Sequence, residues 1–127
     1  MGKLDDGAVV DCHAGHHNTV CDNIVAFTLS ERSHGLYFDD EEAESSMLRN
    51  VVWRCPAKPD AAGGSALHLH NNLGHTVADN IFFGNYSNTA QFYGSSRAYV
   101  DNFHIEGNIA FGPRRKGGRY TFLIGGG

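Results

Sequence analysis

The sequence predicts an all-β fold, a short parallel β-solenoid of about four coils. Three observations predict it. An apolar motif with a central asparagine occurs four times, at intervals of 27, 30 and 28 residues. A segment of alternating apolar residues follows each copy. Glycine (16 of 127 residues) and asparagine (ten) are abundant, which favours many turns because both tolerate left-handed backbone angles.

The repeated motif has the form apolar–x–x–Asn–apolar–x–apolar. Its asparagines are Asn23, Asn50, Asn80 and Asn108. Equivalent residues of successive coils stack at the strand spacing of about 4.8 Å. We therefore expect these side-chain amides to hydrogen-bond along the stack while the backbone bends, and we assign them no chemistry.

Apolar columns accompany the asparagines and are expected to fill the core, because a single coil cannot bury its apolar face alone. The column before the asparagine is Val20, Met47, Val77 and Ile105. The column directly after it is Ile24, Val51, Ile81 and Ile109, and the next inward column is Ala26, Trp53, Phe83 and Phe111.

A second strand is expected after each motif, at residues 35–40, 66–71, 90–95 and 120–125. The period of two is typical of a strand with one buried face. The residues expected to point inward are Leu36, Phe38, Leu67, Leu69, Phe92, Phe122 and Ile124. Those expected to point the other way are Tyr37, Asp39, His68 and His70.

Residues 1–127 are expected to form one domain, with a partial N-terminal cap at 1–16 and coils at 17–125.

The formal net charge of −4 argues against nucleic-acid binding. No apolar run reaches the roughly 18 residues of a membrane span, and the first residues lack the layout of a signal peptide. We expect a soluble chain, cytoplasmic or exported, with neither a nucleic acid nor a membrane as partner.

Four stretches follow one another at coil spacing: H-G-L-Y-F-D-D (34–40), R-N-V-V-W-R-C (49–55), G-S-A-L-H-L-H-N-N (64–72) and T-V-A-D-N-I-F-F (76–83). Over roughly residues 17–125, this pattern resembles the right-handed parallel β-helix proteins with pectate-lyase-type repeats, among them carbohydrate-active glycosidases, lyases and epimerases. The resemblance implies right-handed coiling and a polysaccharide ligand. Enzymes of that group are much longer, so the length is that of a fragment or a minimal member.

The outward row of the second strands is the strongest candidate site. Asp39 and His70 occupy equivalent places in adjacent coils, about 5 Å apart. Asp40 is expected at the bend, where it could swing beside Asp39. Carboxylates and imidazoles can transfer protons, so Asp39 would be acid or nucleophile and His70 base or orienter. The expected catalytic residues are Asp39, Asp40, His68 and His70.

Aromatic and basic side chains are expected to bind the substrate. Tyr37 and Tyr93 would supply stacking surface, and Arg114 and Arg115 in the basic turn G-P-R-R-K-G-G-R would hold an anion or a uronate. The alternative for the outward row is a polar ladder that only keeps the sheet soluble, and for the basic turn a solvated loop.

Two segments carry metal-ligand residue types. The acidic turn with Asp39, Asp40, Glu41 and Glu42 offers the carboxylate oxygens that Ca²⁺ prefers, but its spacing matches no defined calcium loop. The alternative is a solvated charged loop, and we expect no cofactor. The N-terminal set is Cys12, His13, His16, His17 and Cys21, and its spacing is not that of a standard zinc site. We therefore assign no metal ligands there and expect free thiols.

The sequence thus predicts a carbohydrate-active or carbohydrate-binding module, similar to a glycoside hydrolase or lyase. The alternative is a non-catalytic solenoid that serves as an interaction or oligomerisation module. The uncovered ends and edges of a short solenoid favour a homo-oligomer formed through them.

Overall fold

A computed structural model describes residues 7–30, 32–58, 63–94 and 101–112, and the backbone of 122–126. This part of the chain forms thirteen β-strands, numbered in chain order, and contains no helix. Sheet 1 consists of β1 (Ala8–Cys12), β4 (His34–Phe38), β7 (Ser65–His70), β10 (Asn88–Gly94) and β13 (Phe122–Gly126). Sheet 2 consists of β2 (Thr19–Cys21), β5 (Ser46–Leu48), β8 (Thr76–Ala78) and β11 (His104–Glu106). Sheet 3 consists of β3 (Ile24–Ala26), β6 (Val51–Trp53), β9 (Ile81–Phe83) and β12 (Ile109–Ala110).

The three sheets form a parallel β-solenoid of about three turns. Each strand pairs in parallel with the strand one turn away in the chain, as β4 does with β1 and β7. The chain passes from sheet 1 to sheet 2 to sheet 3 and then returns to sheet 1. The all-β solenoid predicted from the sequence is therefore confirmed. β1 lies in the segment expected to cap the N-terminal end, and its partner is β4.

The asparagine ladder is present as predicted. Asn23, Asn50 and Asn80 each donate their side-chain amide to Oδ1 of the asparagine one turn later, over 2.9–3.1 Å. The residue before each of them has a left-handed backbone conformation, with φ of 58° at Asp22 and 55° at Arg49. This conformation makes the bend between sheets 2 and 3, and the ladder supplies hydrogen bonds at that bend.

The core is the narrow space between the three sheets. Sheet 2 contributes most of the predicted column before the asparagines: Val20, Met47 and Val77 are buried and lie in register, whereas Ile105 in the last strand is 45% exposed. Sheet 1 contributes the predicted inward residues, all of them buried: Leu36, Phe38, Leu67, Leu69 and Phe92. In β13, the register places Phe122 opposite Ala90 and Ile124 opposite Phe92.

The predicted inward columns of sheet 3 are wrong by one residue. Its buried residues are Val25, Val52 and Phe82, with 2%, 0% and 3% of their surface exposed. The residues expected inward are exposed or half-buried: Ile24, Val51, Ile81, Ile109, Ala26, Trp53, Phe83 and Phe111. The reason is that strands such as V-V-W and I-F-F are apolar on both faces, so apolar character alone does not tell which face is inside.

In the described residues there is no helix that is long and apolar enough to span a bilayer.

Candidate functional site

Two neighbouring turns of the solenoid bring two carboxylates and an imidazole together at one end of sheet 1. Asp39 directly follows β4, and His70 is the last residue of β7. The parallel register pairs Tyr37 with His68, so Asp39 and His70 continue as neighbours. Nδ1 of His70 lies 3.1 Å from Oδ1 of Asp39 and 3.2 Å from Oδ1 of Asp40. The predicted proximity of these side chains is therefore confirmed.

The bend after β4 turns Asp40 to the same side as Asp39. The backbone N–H of Asp40 donates to Oδ1 of Asp39 over 2.8 Å, and the next residue, Glu41, has a left-handed φ of 65°. The strict alternation of a strand would have placed two consecutive aspartates on opposite faces. The turn thus allows both carboxylates to reach His70.

Asn71 joins this group, and the sequence interpretation missed it. Its Nδ2 donates to Oδ1 of Asp40 over 2.6 Å and lies 3.1 Å from Nε2 of His70. Because an amide NH₂ is only a donor, Nε2 of His70 accepts, and a neutral ring carries its proton on Nδ1. That proton then points at the two carboxylates. The signal in the sequence was that Asn71 follows the predicted base directly.

The surroundings of Asp39 stabilise its ionised form. Burial raises the pKa of Asp39, but hydrogen bonds from the Tyr37 hydroxyl and from His70 outweigh burial, and the pKa is lowered overall. The Tyr37 hydroxyl donates to Oδ1 over 2.8 Å. A second imidazole approaches from the solvent side, with Nδ1 of the exposed His13 3.5 Å from Oδ2 of Asp39. Asp39 is therefore suited to accept hydrogen bonds at neutral pH, whereas its lowered pKa makes it a weaker base.

The other half of the expected row is buried. Tyr37 and His68 are only 2% and 7% exposed, and their rings stack with centroids 4.7 Å apart. The row is therefore an open surface only at its Asp39 end, which differs from the sequence interpretation. A base must come within hydrogen-bond reach of the substrate proton, and the buried position keeps the His68 ring away from the surface.

His68 contacts a further buried histidine, His34. The backbone N–H of Ser65 donates to Nδ1 of His34 over 3.2 Å, so the His34 proton lies on Nε2, 3.0 Å from Nδ1 of His68. Burial lowers the pKa of His34 to about 4 and that of His68 to about 2. Both rings are therefore neutral at physiological pH, and they form a packed polar layer behind the site.

Tyr93 lies beside the cluster on the next strand. It pairs with His70 in the register of β7 and β10, its ring centroid is 5.6 Å from that of His70, and it is 39% exposed. Of the expected binding residues, it is the aromatic one with an accessible ring. The other two expected binding residues, Arg114 and Arg115, lie outside the described residues.

The two glutamates of the acidic turn have different surroundings. Glu41 is exposed, whereas Glu42 is fully buried and accepts hydrogen bonds from Asn18 and Ser45. Burial raises the pKa of Glu42, but these hydrogen bonds outweigh it and lower the pKa overall. Glu42 thus belongs to the interior, away from the site at Asp39.

One group of potential metal ligands is formed by the described residues. It comprises Asp39, Asp40 and His70, each offering an atom within 4.8 Å of the other two. The N-terminal cysteines and histidines form no such group in the described part of the chain, and Cys12, Cys21 and Cys55 are free thiols.

Comparison of the chain with protein-family models, with curated proteins and with solved structures finds no match. The resemblance to pectate-lyase-type repeats therefore rests on the residues quoted above and on the coiled architecture.

Proposed function

We propose that this chain is a carbohydrate-binding β-solenoid module. Its binding surface, which we call the acid–histidine surface, consists of Asp39, Asp40, His70 and Tyr93. The observation that carries the proposal is the accessible ring of Tyr93 next to His70, which itself contacts both carboxylates. An aromatic ring beside ionised carboxylates offers an apolar face and hydrogen-bond acceptors in one patch.

This combination fits the chemistry of a sugar ring. A pyranose has an apolar C–H face that packs on an aromatic side chain, and its hydroxyl groups donate to carboxylates in strong, charge-assisted hydrogen bonds. The polypeptide backbone of a solenoid is rigid, so the patch is held in place before a ligand arrives. Asp39 and Asp40 supply the acceptors, and Tyr93 supplies the packing surface.

Binding is favoured over hydrolysis by the state of the carboxylates. Inverting glycosidases separate their two carboxyl groups by roughly 6.5–9.5 Å, whereas Asp39 and Asp40 offer oxygens within 4.8 Å of each other. A retaining enzyme needs one ionised nucleophile and one protonated general acid, and the lowered pKa of Asp39 suits only the first of these roles. Polysaccharide cleavage is accordingly an outcome to be tested and not the leading proposal.

The finer family assignment belongs to the same proposal. We infer that the chain is a short relative of the right-handed parallel β-helix proteins with pectate-lyase-type repeats. The support is the ladder of four asparagines and the three parallel sheets.

Affinity electrophoresis in gels that contain polygalacturonate, xylan or galactan tests the proposal. We expect retardation of the wild-type chain by at least one polymer, and at least tenfold weaker binding for Asp39→Asn and Tyr93→Ala. Asp79→Asn is the matched control, because Asp79 is an exposed aspartate at the bend between sheets 2 and 3, outside the acid–histidine surface. If no polymer retards the wild type, or if both site variants bind normally, the proposal is wrong. Release of reducing ends or unsaturated products would reassign the surface to catalysis.

A second candidate function is that of an interaction module, and the outer face of sheet 3 favours it. The columns that begin with Ile24 and with Ala26 are apolar and lie on this face. Ile24 and Ile109 are 82% and 53% exposed. Phe27, next to this face, is also exposed and packs its ring against Trp53. Large exposed apolar patches commonly mark protein interfaces.

Sedimentation velocity distinguishes this second candidate. If the outer face of sheet 3 mediates association of copies of the chain, the wild type will sediment as an oligomer and Ile24→Asp will sediment as a monomer. A monomeric wild type at high micromolar concentration would remove self-association as the role of this face.

A further inference from the structure

We propose that Asp39, Asp40 and His70 bind a divalent transition-metal ion of the Zn²⁺ class. The proposal does not rest on carbohydrate binding, because it follows from the ligand atoms themselves. Two carboxylate oxygens and one imidazole nitrogen converge from two adjacent turns of the solenoid. Asp40 is half exposed, so an ion and its remaining water ligands can enter from solvent.

The spacing of the three atoms fits a metal ion in their midst. Zn²⁺ lies about 2.0–2.2 Å from imidazole nitrogen and carboxylate oxygen, so two ligands at angles of 90° to 110° are separated by about 2.9–3.5 Å. Nδ1 of His70 is 3.1 Å from Oδ1 of Asp39 and 3.2 Å from Oδ1 of Asp40. Two of the three separations are therefore already those of ligands on one ion, and the third is within 4.8 Å.

The negative charge of the two carboxylates also favours binding of a cation. Asp39 and Asp40 together carry two negative charges, and their ionic partners among the described residues are the histidines His13 and His70, with no lysine or arginine. At present the Nδ1 proton of His70 lies between the two carboxylates. A divalent ion in this position would neutralise both of them.

The neighbouring residues can support the bound ion. When the metal takes the Nδ1 lone pair, the ring carries its proton on Nε2. The Asn71 amide already faces Nε2, and after half a turn its oxygen accepts that proton in exchange for the hydrogen bond that Nδ2 now donates to Asp40. The Tyr37 hydroxyl donates to the same Oδ1 atom of Asp39 and lies 3.4 Å from Nδ1 of His70, so it fixes the position of the carboxylate beside the ring. Such outer contacts orient ligands and strengthen metal binding.

The nitrogen ligand favours Zn²⁺ over Ca²⁺. Imidazole suits zinc and other late transition metals, whereas Ca²⁺ takes six to eight oxygen ligands. Two carboxylates cannot supply that number, and the expected fourth acid, Glu42, is occupied in the interior. We therefore expect Zn²⁺ to bind much more tightly than Ca²⁺.

Titration of the reduced full chain with Zn²⁺, against a chromophoric chelator and without any glycan, tests the proposal. We expect one ion per chain, at least tenfold weaker binding in both His70→Gln and Asp40→Asn, and no competition by equimolar Ca²⁺. His104→Gln is the matched control, because His104 is exposed and pairs with a single carboxylate, Glu106. Far-ultraviolet circular dichroism checks that each variant folds, and the half-exposed Asp40 provides a variant with little structural cost.

The inference is overturned by no Zn²⁺ binding, by unchanged binding in both site variants, or by binding that Cys21→Ser abolishes while His70→Gln does not. The last outcome would place the ion on the N-terminal cysteines and histidines. Equal competition by Ca²⁺ with no effect of His70→Gln would indicate a carboxylate-only site and would also contradict the inference. Failure of glycan binding leaves every one of these measurements interpretable, so the two proposals can fail separately.

Discussion

Asn50 donates its side-chain amide to Oδ1 of Asn80 over 3.0 Å, although the two residues lie thirty positions apart in the chain. Both are fully buried. The backbone N–H of Asn50 donates to the same Oδ1 atom, and the Asn50 amide also donates to the carbonyl of Val20. One side chain thus satisfies polar groups of three turns of the solenoid at a bend where ordinary strand pairing is interrupted.

Replacing Asn50 by alanine should therefore cost much of the stability of a small domain. The change leaves the buried acceptor on Asn80 and the Val20 carbonyl short of donors, and it removes the acceptor used by Asn23. Each unsatisfied buried group costs about 1–3 kcal/mol, so we expect a loss of about 2–4 kcal/mol in urea unfolding. Asn23→Ala, at the exposed end of the ladder, should lose about 1 kcal/mol or less. Equal losses of unfolding free energy at the two positions would show that burial does not strengthen the contribution of the ladder.

Phe82 and Phe83 are adjacent and chemically identical, which allows a direct test of which face of sheet 3 is inside. Phe82 is buried in the core, whereas Phe83 is half-buried and stacks on Trp53 at the surface. Removing a buried phenylalanine costs about 3–5 kcal/mol, and an aromatic pair contributes about 0.5–1.5 kcal/mol. Urea unfolding should therefore show the larger loss for Phe82→Ala. A larger loss of stability for Phe83→Ala would mean that Phe83 and not Phe82 is the inward residue, as expected from the sequence.

The same pair illustrates what the sequence could and could not predict about the fold. The interval between asparagines determined the register of the turns, because a side-chain ladder works only when equivalent residues stack. The facing of sheet 3 depends on the left-handed residue before each asparagine, such as Asp22 or Arg49. Where both faces of a strand are apolar, the local sequence pattern does not predict which face the left-handed residue directs into the core.

The candidate site divides in a similar way. The contact of Asp39 with His70 followed from the register of β4 and β7, which the alternating pattern predicted. The burial of Tyr37 and His68 depends on how their rings pack against each other and against His34, and the inward turn of Glu42 depends on the dihedral angles of one bend. Those are tertiary properties that a period of two does not contain.

The buried His34 should make the chain sensitive to acid. Burial lowers the pKa of His34 to about 4, from about 6.5 in an unfolded chain, while the charge of Asp39 raises it and that of His70 lowers it. The unfolded state therefore binds more protons between pH 6.5 and 4, and stability is lost as the pH falls through this window. We expect a loss of about 1.4 kcal/mol per pH unit from this residue, measured by urea unfolding at pH 7, 6 and 5.

His34→Gln isolates this contribution. The glutamine does not titrate, so the variant should show a shallower loss of stability between pH 7 and 5 than the wild type, even if its stability at pH 7 is lower. His104→Gln removes an exposed histidine and should keep the wild-type dependence of the unfolding free energy on pH. Other buried groups, such as His68, also contribute to this dependence. A wild-type slope in His34→Gln would show that the His34 ring is not desolvated in the native state.

Glu41 and Glu42 offer a second adjacent pair, one exposed and one buried. Glu42→Ala leaves the donors of Asn18 and Ser45 without their acceptor, and hydrogen bonds to a charged group contribute about 1.5–3 kcal/mol. We expect a loss of about 2–3 kcal/mol at pH 7 for Glu42→Ala and less than about 0.5 kcal/mol for Glu41→Ala. Because the native environment lowers the pKa of Glu42, its contribution is present above the unfolded pKa, near 4.5, and disappears as the pH falls through the lower native value. Urea unfolding at pH 7 and pH 3.5 should therefore show the wild type and Glu42→Ala converging in acid. A difference between them that stays constant with pH would mean that the carboxylate acts by packing and not by its charge.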